Sequence, residues 1–117
     1  MPTIRDLTVA IRQRPGIEAV VILGRDGLLI DSQTTTDLDA ESLAARVPGI
    51  VASADEIGAT TGQGAMRMAL IEHETGYAVV SSVGDDAVIC VLTNSSADLG
   101  GLLYDVRRHR ESIARLF

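Results

Sequence analysis

An α+β fold, an α/β sandwich in the order helix, two strands, helix, three strands, helix, follows from three features of the 117-residue sequence. Apolar, β-branched runs are joined by tight glycine-containing turns into one hairpin and one antiparallel meander. Between these lies the longest stretch of helical spacing, and shorter amphipathic stretches open and close the chain. Several strands are apolar at successive positions and need cover on both faces of a sheet, which three helices can supply. The length suits one core in a single domain over residues 1–117. Such a chain hides roughly two-thirds of its unfolded surface and leaves about 6,100 Å² exposed.

Thr3 and Asp6 resemble a capping box, and Ile4, Leu7 and Ile11 follow at helical spacing until Pro15-Gly16 ends the segment. Ala19 to Leu23 forms the first strand. Gly24-Arg25-Asp26-Gly27 then turns the chain, since Asp-Gly tolerates positive φ, and Leu28 to Ile30 returns. Ser32 to Asp37 is polar and threonine-rich, leading to Asp39 as a helix cap with Leu38 and Leu43 placed as a staple. Leu43, Val47, Ile50, Ala54 and Ile57 recur at four-three spacing up to Thr61-Gly62, which predicts a long second helix.

Pro48-Gly49 falls inside that helix, where proline costs about 3 kcal/mol. The helix is either kinked at Val47-Pro48 or split in two; the unbroken apolar phase favours a kink. Met66 to His73, Tyr77 to Val83 and Ala87 to Thr93 make the meander. In its first strand Met66, Met68 and Leu70 alternate with Arg67, Ala69 and Ile71. Its last strand is apolar on both faces, as a central strand is. A final helix begins around Asn94 to Asp98 and carries Leu99, Leu102, Leu103, Val106, Ile113 and Phe117, with four arginines toward its C-terminal end.

Composition excludes several functions. Tyr77, Tyr104 and Phe117 are the only aromatic residues and the formal charge is −6, so neither base stacking nor phosphate-backbone binding is expected. Cys90 has no partner for an internal disulfide and makes no metal cluster with the two distant histidines. No signal segment or run of eighteen apolar residues is present, so the expectation is a cytoplasmic protein without membrane insertion. Cys90 lies in the most apolar strand and reads as a small buried hydrophobe; His73 and His109 read as solvated. Gly62-Gln63-Gly64 lacks the Gly-Lys-Ser/Thr ending of a P-loop and precedes a strand. Catalytic residues, cofactor and metal are therefore all expected to be absent. Few aromatic or convergent polar residues on the strands disfavour a small-molecule pocket between sheet and helix.

On the second helix, the side opposite the apolar seam carries Ala45, Gly49, Ala52 and Ala59 interleaved with Arg46, Ser53, Glu56 and Thr60. Small residues admit another backbone closely, and this face bears less charge than a solvated helix usually does.

Pro15-Gly16-Ile17 leading into Val20-Val21-Ile22, Gly24 to Gly27 followed by Asp31-Ser32, Asp39 to Ala45, Ile71-Glu72 with Gly76, and Leu99-Gly100 occur together in that order. In this conjunction the chain resembles the Roadblock/LC7 domain family, above all the bacterial members that partner a small Ras-like GTPase of gliding motility and polarity. The resemblance implies a five-stranded antiparallel sheet with the second helix on one face and the terminal helices on the other. It implies homodimers in which the third strands, here Met66, Arg67, Met68, Ala69, Leu70 and Ile71, pair edge to edge while the second helices lie together. Ala45, Arg46, Gly49, Ala52, Ser53 and Glu56 would then form the interface with the GTPase or the second copy. The implied function is a non-enzymatic homodimeric regulator or scaffold for such a GTPase. The alternative is a dimeric adaptor within a larger assembly of further subunits.

Overall fold

The computed structural model describes residues 2–35 and 37–117. Among them, helix α1 (Ile4–Arg12) is followed by strands β1 (Ile17–Gly24) and β2 (Leu29–Thr34), helix α2 (Ala40–Thr61), strands β3 (Met68–His73), β4 (Gly76–Val83) and β5 (Ala87–Asn94), and helices α3 (Leu99–Arg108) and α4 (Arg110–Ala114). The strands form one five-stranded sheet in the order β2-β1-β5-β4-β3, with every neighbouring pair antiparallel.

Strand alternation divides the apolar side chains between two cores. Val20, Ile22, Val79, Ile89 and Val91 pack with Ile11 of α1, Leu102 and Val106 of α3 and Ile113 of α4. Val21, Leu23, Val80, Val88 and Cys90 pack with Ala44, Val47 and Val51 of α2. The expected layers are therefore present, with α2 on one face and the terminal helices on the other.

Local chemistry explains the elements and their departures from expectation. Thr3 and Asp6 make the reciprocal capping box, and the buried Thr8 hydroxyl donates to Asp31 Oδ2 at 2.9 Å, tying α1 to β2. β2 runs on through Ser32 to Thr34, within the stretch that reads as a polar link, because backbone pairing with Ala19 to Val21 is indifferent to polar side chains on an edge strand. Thr36 of that stretch lies outside the described residues. Asp39 caps α2 by accepting from the Glu41 and Ser42 amides, and the Ser42 hydroxyl is the main reason its carboxyl is held below the ordinary carboxylate range.

α2 is a single 22-residue helix that runs through Pro48. The hairpin turn lies against the proline: Gly27, at φ +90°, is so near that an added Cβ would sit 3.3 Å from Pro48 Cγ. The buried line of the helix is Ala44, Val47, Val51 and Gly58. Leu43, Ile50 and Ala54 flank it half-buried, while Ile57 is 63% exposed. A four-three repeat drifts against the true helical period, which carries Ile57 out of the seam.

Two further boundaries differ from expectation. Met66 and Arg67 precede β3 instead of opening it. The Met66 amide donates to Asp55 Oδ1 of α2 at 2.7 Å. Its side chain is buried on the α2 side, whereas Met68 packs on the other face, so the alternation begins only at Met68. The final helix is broken at His109, φ −101° and ψ 13°. Leu102, Val106 and Ile113 all reach the same core across the break, which is why their spacing reads as one helix.

Candidate protein-interaction surface

With Ala44, Val47 and Val51 turned to the sheet, α2 presents the opposite side to solvent. Ala45, Arg46, Gly49, Ala52, Ser53 and Glu56 are all exposed, and at about 100° per residue they share one face. At its centre a Cβ on Gly49 would meet nothing within 4 Å. Arg46 and Glu56 stand about 15 Å apart along the axis, and neither takes part in an ion pair among the described residues. Ile57 belongs to the same face, on the side of Ser53; counting rotation instead of heptads would have found it.

Beside this helix is a free strand edge. Among the described residues β3 pairs only with β4, so its outer backbone groups face away from the sheet. Of the residues expected there, Met68, Ala69, Leu70 and Ile71 lie on the edge strand; Met66 and Arg67 do not. Ala69 leans on the α2-side core. Leu70, opposite Val79 and therefore on the other face, is 47% exposed.

One polar cluster holds the two features in a fixed relation. Arg25 of the β1–β2 turn lies 3.7 Å from Asp55 Oδ2 and donates to Ser82 Oγ at 3.3 Å. Ser82 Oγ donates in turn to the Met66 carbonyl at 3.0 Å. Turn, α2, β4 and the start of β3 are thereby joined through the same Asp55 that receives the Met66 amide. Nothing in the sequence spacing pairs these residues, since they meet only once the sheet is assembled.

His73 and His109 are exposed, and the described residues contain no group of three or more His, Cys, Asp or Glu able to hold a metal ion. The Gly62-Gln63-Gly64 loop closes α2: the Gln63 and Gly64 amides donate to the Gly58 carbonyl at 2.8 and 3.2 Å. No described helix is long and apolar enough to cross a membrane.

Cys90 is 1% exposed, and burial pushes its thiol up to about 11. Its thiolate forms more easily in the unfolded chain, so the stabilising difference is intact below about pH 9 and is lost as pH rises toward 11. Urea denaturation should show about 2 kcal/mol of stability disappearing over that interval. Cys90→Ala, compared with its own value at pH 8, should lack this loss; an identical slope in both proteins would contradict the assignment.

Helix, sheet edge and sheet order together define a class. The sequence pattern of the Roadblock/LC7 domain family matches residues 3–93, and the chain belongs to that family, whose members are regulatory or adaptor domains. Among its relatives is the uncharacterized protein MJ1340 of Methanocaldococcus jannaschii, 30% identical over 102 residues that cover 87% of this chain and 89% of that one. The fold is similar to a Roadblock/LC7 domain from Streptomyces avermitilis, with a TM-score of 0.85 at 24% identity over 97% of both chains. It is similar also to the gliding protein MglB from Thermus thermophilus, with a TM-score of 0.84 at 17% identity over 96% of this chain and 86% of that one.

Proposed function

We propose that this domain is a non-enzymatic, homodimeric regulator or scaffold of the cytoplasm that binds a small Ras-like GTPase through paired α2 helices. The observation that carries the proposal is the outer face of α2, small at Ala45, Gly49 and Ala52, set beside the unpaired β3 edge. A free edge strand is a liability unless it is paired, and pairing it with a second copy brings two α2 helices together. If the helices cross antiparallel, the self-complementary contact centres on the outer face midway between Gly49 and Ser53. Arg46 then faces the partner's Glu56, and Gly49 faces the partner's Ser53. The GTPase as the partner class rests on the resemblance of the sequence to family members that partner a small Ras-like GTPase, and the fold is shared with the gliding protein MglB.

The test is binding to the small Ras-like GTPases of the same genome, each loaded with GDP or with a non-hydrolysable GTP analogue. One nucleotide state is expected to bind, with Arg46→Glu or Glu56→Arg weakening the complex at least about tenfold. Absence of binding in both states across the set would remove the GTPase from the proposal.

A second reading, a dimeric adaptor in a larger assembly without a GTPase, draws on the other sheet edge. Among the described residues β2 is also unpaired on its outer side, and Leu28 just before it and Ile30 within it are 71% and 45% exposed. Capture of a larger complex in which contacts map to β2 would favour it.

A further inference from the structure

Three cations from distant parts of the chain meet at one end of the sheet. Arg25 of the β1–β2 turn, Arg67 just before β3 and Arg110 at the start of α4 line a single cavity of about 550 Å³. The break at His109 starts α4 at Arg110, and the late start of β3 leaves Arg67 outside the strand. Neither Arg67 nor Arg110 has a carboxylate within 4 Å among the described residues, and Arg25 has only Asp55, at 3.7 Å. The Nε atoms of Arg25 and Arg110 are buried and find no hydrogen-bond acceptor among the described residues. Those two atoms are closed to solvent, so the charge a ligand can meet is that of the guanidiniums lining the cavity, two of which have no carboxylate to offset them.

Electrostatics point the same way. Burial, then repulsion from Arg67 and Arg107, lowers the pKa of Arg110, so positive charge is crowded here in a chain of net charge −6. An anion between the guanidiniums relieves that repulsion. Guanidinium forks match the oxygens of a phosphate in pairs, and a dianion can engage two forks at once. Asp85 and Glu111 also line the cavity. They disfavour a polyanion and can accept hydrogen bonds from hydroxyl groups beside a single phosphate.

We infer that the cavity lined by Arg25, Arg67 and Arg110 is a binding site for a phosphate monoester, clamped by the guanidiniums of Arg67 and Arg110, with the charge of Arg25 beside them. The ester is carried either by a free hydroxylated small molecule or by a phosphorylated side chain of a partner. The sequence conceals this site because its cations come from a turn, a pre-strand residue and a helix start, and none lies within a strand.

The full-length chain is titrated with sodium phosphate, ribose 5-phosphate and a phosphoserine peptide, against sodium chloride at matched ionic strength. About 10 mM phosphate should raise Tm by about 3 °C or more beyond chloride. The double variant Arg67→Gln/Arg110→Gln should bind phosphate at least about tenfold more weakly. Without ligand it should melt no lower than the original chain, since two mutually repelling cations are gone. Tighter binding of ribose 5-phosphate than of inorganic phosphate identifies the free ester, and tighter binding of the peptide identifies the protein-borne one. Phosphate acting no differently from chloride, or the double variant binding as the original chain does, overturns the assignment.

Discussion

Gly58→Ala is expected to cost about 3 kcal/mol of folding free energy and to lower Tm by on the order of 10 °C. In an unobstructed helix the same exchange stabilises by up to about 1 kcal/mol, because glycine has the larger entropy to lose. Here the sign reverses. The chain leaving α2 turns at Gly62, φ +75°, and folds back so closely that a Cβ on Gly58 would sit 1.7 Å from the Gly64 carbonyl oxygen. That oxygen belongs to backbone that leads directly to Met66 and β3, so the clash cannot be relieved by one side chain moving. Gly49→Ala, compared at dilutions where the chain is monomeric, is the internal control, since its new methyl meets nothing within 4 Å in the single chain. Urea and thermal denaturation of the two variants should move in opposite directions. Equal stability of Gly58→Ala and the original chain would mean that the loop does not lie over the helix.

Gly49→Trp is expected to leave the monomer folded and abolish the proposed dimer. The indole would project from the face where two α2 helices are to approach, and steric exclusion at the centre of an interface removes more binding than the loss of a rim contact. Leu70→Asp is the companion variant at the strand edge. Leu70 is the better probe than Ala69, because Ala69 leans on the α2-side core and a charge there would damage the fold itself. Light scattering at micromolar concentration should give twice the chain mass for the original protein and the single mass for each variant, with cooperative melting preserved. Two variants that both keep the doubled mass would exclude this geometry.

Much of this architecture is legible from local chemistry. The Thr3 and Asp39 caps, the Gly24 to Gly27 turn and the apolar runs of β1, β4 and β5 act over a few residues, and the sequence states them directly. The outer face of α2 is legible because burial of Ala44, Val47 and Val51 dictates what remains outside. Ile57 is misplaced by four-three spacing because that spacing tracks a supercoil, and one helix lying on a sheet follows its own period. Ser32 to Thr34 escape a reading by hydrophobic pattern because backbone pairing on an edge needs no apolar side chains. The Arg25–Asp55 contact and the arginines around the cavity have no local signal: their partners lie 30 or more residues away in sequence.

The sheet order has a kinetic consequence. β1 is hydrogen-bonded to β5, with Gly24 opposite Ala87, so the central strand and this neighbour belong to opposite halves of the chain. On the ribosome the β1–β2 hairpin emerges long before its other neighbour. At common synthesis rates its inner edge, carrying Val20 and Ile22, waits on the order of 10 s for β5. Closing that long loop is also the slow step expected for refolding from denaturant. During synthesis this nascent hairpin is the segment most in need of a chaperone, and in refolding it is where aggregation should begin.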